Sequence, residues 1–376
     1  MATTFKTFLN NDITSTKTLL HEAIPLTGTI ASGTYNTAGA TTDTYDGTNI
    51  KNYAHGMFQS VYDYPYLSSS ANHIYDLTVG YASSSALSAS SDTTMQSKKI
   101  NIYNQMAQLM VGYNTVGDIR PFDEDGNLVA GGTKLRDCIF INFARLLAKD
   151  EIKKGSFTLK LGTGSYATPF NTATGDAILT ISDSGKENDY RVNSPAGEYA
   201  ILSATAGYNS GIAVAPACGL IFYQAGIVVL SSSVFQSASV DGVPSPAGGI
   251  LGSASVPFRS NDTYFTASLT GSAISSSCNY FRNRIYDISF NNTTELNSTI
   301  HFCRINHNDF NYSSNPTYLS SSKIVVKNNT LDAPISYITT VGLYSSDNEL
   351  LAVAKLSEAL KKDPTNEMTI RVRLDY

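Results

Sequence analysis

The sequence predicts an α+β protein: a β-rich core with two amphipathic helices, completed by a C-terminal β-hairpin and a terminal strand. Two segments favour helices because their apolar residues recur every three or four positions. Many other segments alternate apolar and polar residues, which is the period of a strand with one buried face. The last nine residues alternate in this way up to the C-terminus.

The first predicted helix covers residues 134–155. Its apolar positions are Leu135, Ile139, Phe143, Leu146 and Leu147. Lysines near its end would meet the negative end of the helix dipole, and Gly155 would supply the left-handed residue that ends the helix. Residues 157–161 then alternate apolar and polar, which predicts a strand directly after this glycine.

A second helix is predicted for residues 100–112. Its apolar positions are Ile100, Tyr103, Met106, Ala107 and Met110, and Gly112 ends the pattern. Residues 123–127, Asp-Glu-Asp-Gly-Asn, predict a tight turn between the two helices.

The chain after residue 161 is predicted to be rich in strands. The candidates are residues 177–181, 198–203, 219–223, 226–230, 264–269, 284–290 and 299–305. Residues 218–230 are the most hydrophobic part of the chain and predict two adjacent buried strands. Residues 231–257 are rich in Ser, Gly, Pro and Ala, which predicts a long loop of the kind that contacts a partner.

Three segments are predicted from these patterns. Residues 1–98 form a loop-rich N-terminal arm that ends in a Ser/Ala-rich linker at 83–92. Residues 99–330 contain the helical pair and the β-rich core. Residues 331–376 contain a β-hairpin and a final strand that complete the core sheet.

Composition narrows the classes of partner. Charged residues make up 15% of the chain, against about 25% in an average protein, and such a surface is typical of proteins that lie against other subunits. The net charge of -5 without a cluster of Lys and Arg argues against nucleic acid.

We expect neither a signal peptide nor a membrane span. Four scattered cysteines, Cys138, Cys218, Cys278 and Cys303, predict a reduced, cytosolic environment during assembly.

His301, Cys303 and His307 form the one cluster of potential metal ligands in the sequence. On a strand, His301 and Cys303 share a face, and His307 could return from the next turn, so a zinc site can be drawn. A fourth ligand at recognisable spacing is missing. Three unrelated residues at a strand end are therefore the favoured interpretation, and no metal site is predicted.

Other patterns suggest chemistry only weakly. Residues 123–127 share part of a calcium loop but lack its Glu at the twelfth position, so a hairpin turn is favoured. The tyrosines of residues 53–81 could form a sugar-binding platform, although burial in a core or interface is more common for such rings. No dinucleotide fingerprint or nucleophile elbow is present. We therefore predict no catalytic residue, no cofactor site and no enzymatic activity.

Three stretches of the chain carry a resemblance. They are residues 140–157, residues 219–230 and residues 338–356, and the last of these contains Gly-Leu-Tyr, a turn and Leu-Leu-Ala-Val. These stretches resemble virion structural proteins of contractile-tailed, myovirus-like bacteriophages, particularly those of marine cyanobacteria. The resemblance rests on these three stretches and carries no catalytic motif.

The resemblance implies a homo-oligomeric virion component of the neck, tail or baseplate. Its implied partners are copies of itself and other virion proteins, with no nucleic acid and no membrane, and assembly would take place in the host cytoplasm. The alternative is a receptor-binding or fibre-attachment protein that recognises a host surface glycan. An enzyme of the tail tip is the third and least favoured possibility.

Overall fold

The structure is a computed structural model that describes residues 5–26, 48–85, 88, 94–129, 131–162, 178–206, 217–235, 273–282, 284–312, 319–320, 323–324, 331 and 334–376. The chain divides into two compact units. The larger unit is Leu20–Thr294, and the smaller unit combines Met1–Leu19 with Glu295–Tyr376. This division differs from the three predicted segments, because it groups the first residues of the chain with the last.

The described elements are mostly strands, so the predicted β-rich core is confirmed. The strands are β1 Ile13–Pro25, β2 Ile50–Asn52, β3 Gln59–Tyr62, β4 His73–Tyr81, β5 Phe122–Asp123, β6 Lys134–Leu135, β7 Asp137–Phe143, β8 Glu151–Ile152, β9 Thr158–Gly162, β10 Ile178–Ser182, β11 Arg191–Ser194, β12 Gly197–Ala206, β13 Ala217–Phe222, β14 Ile227–Ser231, β15 Ile285–Ile305, β16 Leu319–Ser320, β17 Lys323–Ile324, β18 Ser336–Tyr344, β19 Leu350–Lys362 and β20 Met368–Asp375. The α-helices are α1 Thr94–Met110, α2 Arg145–Ala148 and α3 Ile274–Arg282, and two 3-10 turns cover Asn10–Asp12 and Ser232–Phe235.

The larger unit is built on one antiparallel sheet. Its strands follow the order β15, β9, β10, β12, β13, β14, β7, β4, β3 and β2. Strands β13 and β14 are hydrogen-bonded neighbours, with Ile221 opposite Val228, and every residue of β14 is buried. The two adjacent buried strands predicted in residues 218–230 are therefore confirmed.

The helix predicted for residues 134–155 is wrong. This segment contains β6, β7, the single helical turn α2 and β8. Strand β7 lies between β14 and β4, and its residues 138–141 are all fully buried. A strand that is covered on both faces reads as a continuous apolar run rather than as an alternation, so its spacing resembled that of a helix. Gly155 does have a positive φ of 75°, and the strand predicted after it is β9.

The second predicted helix is confirmed as α1, which begins six residues earlier than predicted. Ile102, Tyr103, Ala107 and Met110 are buried, and Gly112 follows the helix with a φ of 71°. The helix lies so close to β4 that a Cβ atom at Gly80 would be 2.7 Å from the carbonyl oxygen of Lys99. This contact explains the glycine in the middle of a buried strand.

The smaller unit contains two pairings. Strand β20 pairs antiparallel with the second half of β15, from Ser298 opposite Asp375 to Ile305 opposite Met368. Strands β18 and β19 pair antiparallel in a two-stranded sheet of their own. The final strand therefore joins β15, whereas the hairpin does not extend that sheet. The strands predicted at 284–290 and 299–305 are parts of the single strand β15.

Some expectations concern residues outside the described ranges. They include the strand at 264–269, most of the loop at 231–257 and most of the linker at 83–92. Within the described part of the predicted loop-rich N-terminal arm, residues 13–25 form the strand β1. No helix in the described part of the chain is long and apolar enough to cross a membrane.

Candidate functional site

A cavity of about 700 Å³ opens within the smaller unit. Its walls come from residues 5–8, the end of β15, the loop after β15 and strand β18. Seven aromatic side chains line it, and we call the site that they form the aromatic cleft: Phe5, Phe8, Phe302, Phe310, Tyr312, Tyr337 and Tyr344.

The rings of the aromatic cleft are unusually open to solvent. Five of the seven residues are between 41% and 57% exposed: Phe5, Phe310, Tyr312, Tyr337 and Tyr344. The rings of Phe5 and Tyr344 meet edge to face with centroids 4.9 Å apart, and the ring of Phe8 lies 5.3 Å from that of His301. Rings grouped around a cavity in this way are typical of binding sites.

The loop that carries Phe310 has a strained backbone. Phe310 has a φ of 51°, in the left-handed region that costs a bulky residue on the order of 1–2 kcal/mol. Its carbonyl oxygen accepts a hydrogen bond from Oγ of Ser336, and Nδ2 of Asn311 donates to the carbonyl oxygen of His307 at 2.8 Å. These contacts hold the backbone of the loop that carries the ring of Phe310.

Lys362 fixes the same loop from inside. Its side chain is fully buried, and Nζ donates to the carbonyl oxygen of His307 at 3.0 Å, to Oδ1 of Asn311 at 2.7 Å and to the carbonyl oxygen of Asp363 at 2.8 Å. An ammonium group has three donors, so all of them are used here. The loop is therefore built around a buried cation rather than lying loosely on the surface.

The charged residues that line the cleft are each ion-paired. Lys6 Nζ lies 2.5 Å from Oδ2 of Asp309, and Arg304 Nε lies 2.5 Å from Oδ1 of Asp12. A hydrogen bond from the backbone of Leu9, together with Arg304, holds the pKa of Asp12 below its usual value. The Lys6 side chain likewise lowers the pKa of Asp309. The cleft therefore presents balanced charges.

The structure does not bring His301, Cys303 and His307 together as a ligand set. Cys303 packs against the hydrophobic cluster of Ile305 and its neighbours, and burial raises the pKa of its thiol. Nδ1 of His307 instead lies 3.2 Å from Oε1 of Glu367. Among the described residues, no group of three or more His, Cys, Asp or Glu side chains is placed to hold a metal ion.

Residues 124–127 begin the ten-residue connection, residues 124–133, between the paired strands β5 and β6, so the connection is longer than the predicted tight turn. Strands β5 and β6 pair, Gly126 has a φ of 67°, and Oδ1 of Asp125 accepts a hydrogen bond from the backbone of Asn127 at 3.2 Å. The carboxylate of Asp123 is buried and forms an ion pair with Lys134. This ammonium group supplies the positive charge that a calcium ion would otherwise provide.

The tyrosines of residues 53–81 do not share one surface. Tyr75 and Tyr81 are fully buried in β4, whereas Tyr64 and Tyr66 are exposed. Burial, which the sequence favoured for these rings, is therefore confirmed for Tyr75 and Tyr81. The aromatic cleft was missed because its rings are separated by more than 300 residues of sequence, from Phe5 to Tyr344, and no local pattern connects them.

The polar part of the cleft lining offers both donors and acceptors of hydrogen bonds. Its polar lining consists mainly of hydroxyl and amide side chains from Ser336, Thr339, Thr340, Ser345, Ser346 and Asn348. The one carboxylate in the lining, that of Asp12, is already paired with Arg304.

No family model, no curated protein and no solved structure matches this chain.

Proposed function

We propose that this protein is a structural component of a tailed-phage virion, in the neck, tail or baseplate, and that it acts through contacts between subunits. The observation that supports the proposal is the ratio of buried to exposed apolar side chains in the smaller unit. Its described residues bury few apolar side chains and expose many. The virion setting itself comes from the resemblance of residues 140–157, 219–230 and 338–356.

The buried apolar cluster of the smaller unit has three members, Ile305, Ile370 and Val372, with six partly buried side chains packed around them. By contrast, Leu350, Leu351 and Val353 of β19 are between 53% and 68% exposed. More than half of the exposed large apolar side chains among the described residues belong to this unit.

Such a surface favours a partner. Covering apolar area stabilises a complex by roughly 25 cal/mol per Å², and a two-stranded hairpin such as β18–β19 is only marginally stable without a surface to pack on. A second copy of the chain is the first partner to consider, because identical subunits present the same patch to each other. The low charge content of the chain removes much of the desolvation cost of such contacts.

A pair of substitutions on the outer face of β19 tests this proposal. We expect the purified protein to form a defined oligomer by mass photometry, and Leu351→Lys with Val353→Lys to shift it to monomers, because buried ammonium groups are costly. Val192→Lys is the matched control, since Val192 is an exposed strand residue of the larger unit. It should leave the oligomer unchanged.

Symmetry then separates the two functions predicted from the sequence. Rings with five, six or twelve subunits favour a neck or tail position, whereas a compact trimer favours a receptor-binding fibre protein. A wild-type protein that remains monomeric at high concentration would contradict the assembly proposal. Placing the chain in a cryo-EM map of an intact particle would identify its neighbours.

A further inference from the structure

The aromatic cleft has the properties of a ligand site, and none of the described residues that line it belongs to β19. Its volume of about 700 Å³ lies within the range of roughly 300–1,000 Å³ that is usual for small-molecule sites. A di- or trisaccharide is of this size. We propose that the cleft binds a neutral oligosaccharide.

The distribution of aromatic side chains is the first argument. Of the ten exposed aromatic residues in the described part of the chain, five line this cleft. Exposed rings are unfavourable in water unless something covers their faces. The C–H face of a pyranose ring is apolar and flat, so it packs on an aromatic ring while its hydroxyl groups stay directed toward polar partners.

Charge is the second argument, and it selects among ligands. Lys6 and Arg304 are already paired with Asp309 and Asp12. Both cations are already neutralised by these carboxylates, so an anionic ligand such as a phosphate or a sulfated sugar gains less from them than it would from unpaired cations. A neutral ligand leaves both ion pairs intact and uses the hydroxyl and amide groups of the lining.

Preorganisation is the third argument. The buried ammonium group of Lys362 and the hydroxyl group of Ser336 hold the loop that presents Phe310 in a strained conformation. Strain of this kind persists where the surrounding contacts fix it, and it is concentrated at functional sites. A site that is already ordered loses less entropy when it binds a weakly held ligand such as a sugar.

Binding of neutral trisaccharides to the full-length protein tests the inference. The probes are maltotriose, cellotriose, laminaritriose and tri-N-acetylchitotriose, with trigalacturonate as the anionic comparison and a decaproline peptide as the peptide comparison. Saturation-transfer NMR identifies which probe binds, and calorimetry gives its dissociation constant. We expect at least one neutral trisaccharide to bind, and both comparison probes to bind more weakly.

Single substitutions locate the site. Tyr337→Ala should weaken binding on the order of tenfold, because it removes one exposed ring face, whereas Tyr337→Phe keeps the ring and should retain most of the affinity. Tyr64→Ala is the matched control, since Tyr64 is an equally exposed ring of the larger unit. Unchanged melting temperatures would show that all three variants are folded.

Three results would overturn the inference: no binding of any neutral trisaccharide, tighter binding of trigalacturonate or decaproline, or equal affinity of Tyr337→Ala and wild type. The outcome is independent of the assembly proposal. Wild type and the Tyr337 variants are compared under the same conditions, so the trisaccharide result stands whether or not the protein forms oligomers.

Discussion

The phenol hydroxyl group of Tyr223 donates a 2.9 Å hydrogen bond to Oδ2 of Asp183, a carboxyl group that is fully buried in the larger unit. The same carboxyl group accepts hydrogen bonds from the backbone N–H groups of Gly155 and Phe157, each at 2.8 Å. Burial raises the pKa of Asp183 although these three hydrogen bonds oppose the shift. One side chain thus fixes the turn between β8 and β9.

Removing this carboxyl group should be costly. We expect Asp183→Ala to lower the free energy of unfolding by about 3 kcal/mol, because two backbone N–H groups lose their acceptor in a buried site. Tyr223→Phe removes a single hydrogen bond and should cost about 1 kcal/mol. Urea unfolding of the two variants measures both values, and equal losses would show that Asp183 does not hold the turn.

The close approach of α1 to β4 predicts the effect of a single methyl group. Gly80→Ala would place a Cβ atom 2.7 Å from the carbonyl oxygen of Lys99 and 2.8 Å from the backbone nitrogen of Tyr103. Backbone atoms cannot move aside as a flexible side chain can, so we expect a loss of roughly 2 kcal/mol in urea unfolding.

Gly131→Ala is the control for this substitution. A Cβ atom at Gly131 would meet nothing within 4 Å, and its φ is not in the left-handed region. Its stability should stay within about 0.5 kcal/mol of wild type. A Gly80→Ala variant as stable as Gly131→Ala would mean that α1 lies farther from β4 than the structure places it.

Acid should weaken the smaller unit. The pKa values of Asp12, Asp309, Asp363 and Asp375 are lowered by hydrogen bonds from Leu9, Lys6, Thr365 and Ser298, respectively. Near these pKa values the folded unit therefore binds fewer protons than the unfolded chain. The stability from these contacts is complete above the unfolded value of about 3.9 and is lost as the pH falls through the folded values.

Hydrogen exchange measures this effect segment by segment. As the pH falls below about 4, peptides from β20 should lose protection before peptides from β14. Asp183 in the larger unit responds in the opposite direction, because its raised pKa favours the protonated folded state. Earlier loss of protection in β14 would contradict the prediction.

Lys99 gives the larger unit a response to alkaline pH. Its side chain is fully buried, and burial lowers its pKa from 10.5 to about 8. Between these two values the folded protein holds fewer protons than the unfolded chain, so the contribution of Lys99 to stability rises with pH. As the pH rises from 8 to 10.5, we expect the free energy of unfolding of wild type to increase relative to that of Lys99→Met. A difference that is independent of pH would contradict this.

The sequence predicted local order well where one period was clear. Helix α1 and strands β13 and β14 follow from the spacing of apolar residues alone. Strand β7 was mistaken for a helix because burial on both faces removes the alternation that identifies a strand. Only its place between β14 and β4, which depends on pairing across the whole chain, decides its structure.

The candidate site could not be predicted in the same way. Phe5, Phe310 and Tyr344 line one cavity because the two ends of the chain belong to one unit. No short-range sequence pattern indicates that these residues are close in space. No sequence pattern predicts the strain at Phe310 or the burial of Lys362. Both depend on carbonyl groups and side chains that the fold places around them.

The positions of the cysteines have a practical consequence. Burial raises the pKa of all four thiols, but Cys138, Cys218 and Cys278 are buried, whereas Cys303 is partly exposed and lines the aromatic cleft. Maleimide dyes react with accessible thiolates. The natural chain therefore offers one preferred attachment point for a fluorescent reporter, beside the cleft, without any engineered cysteine.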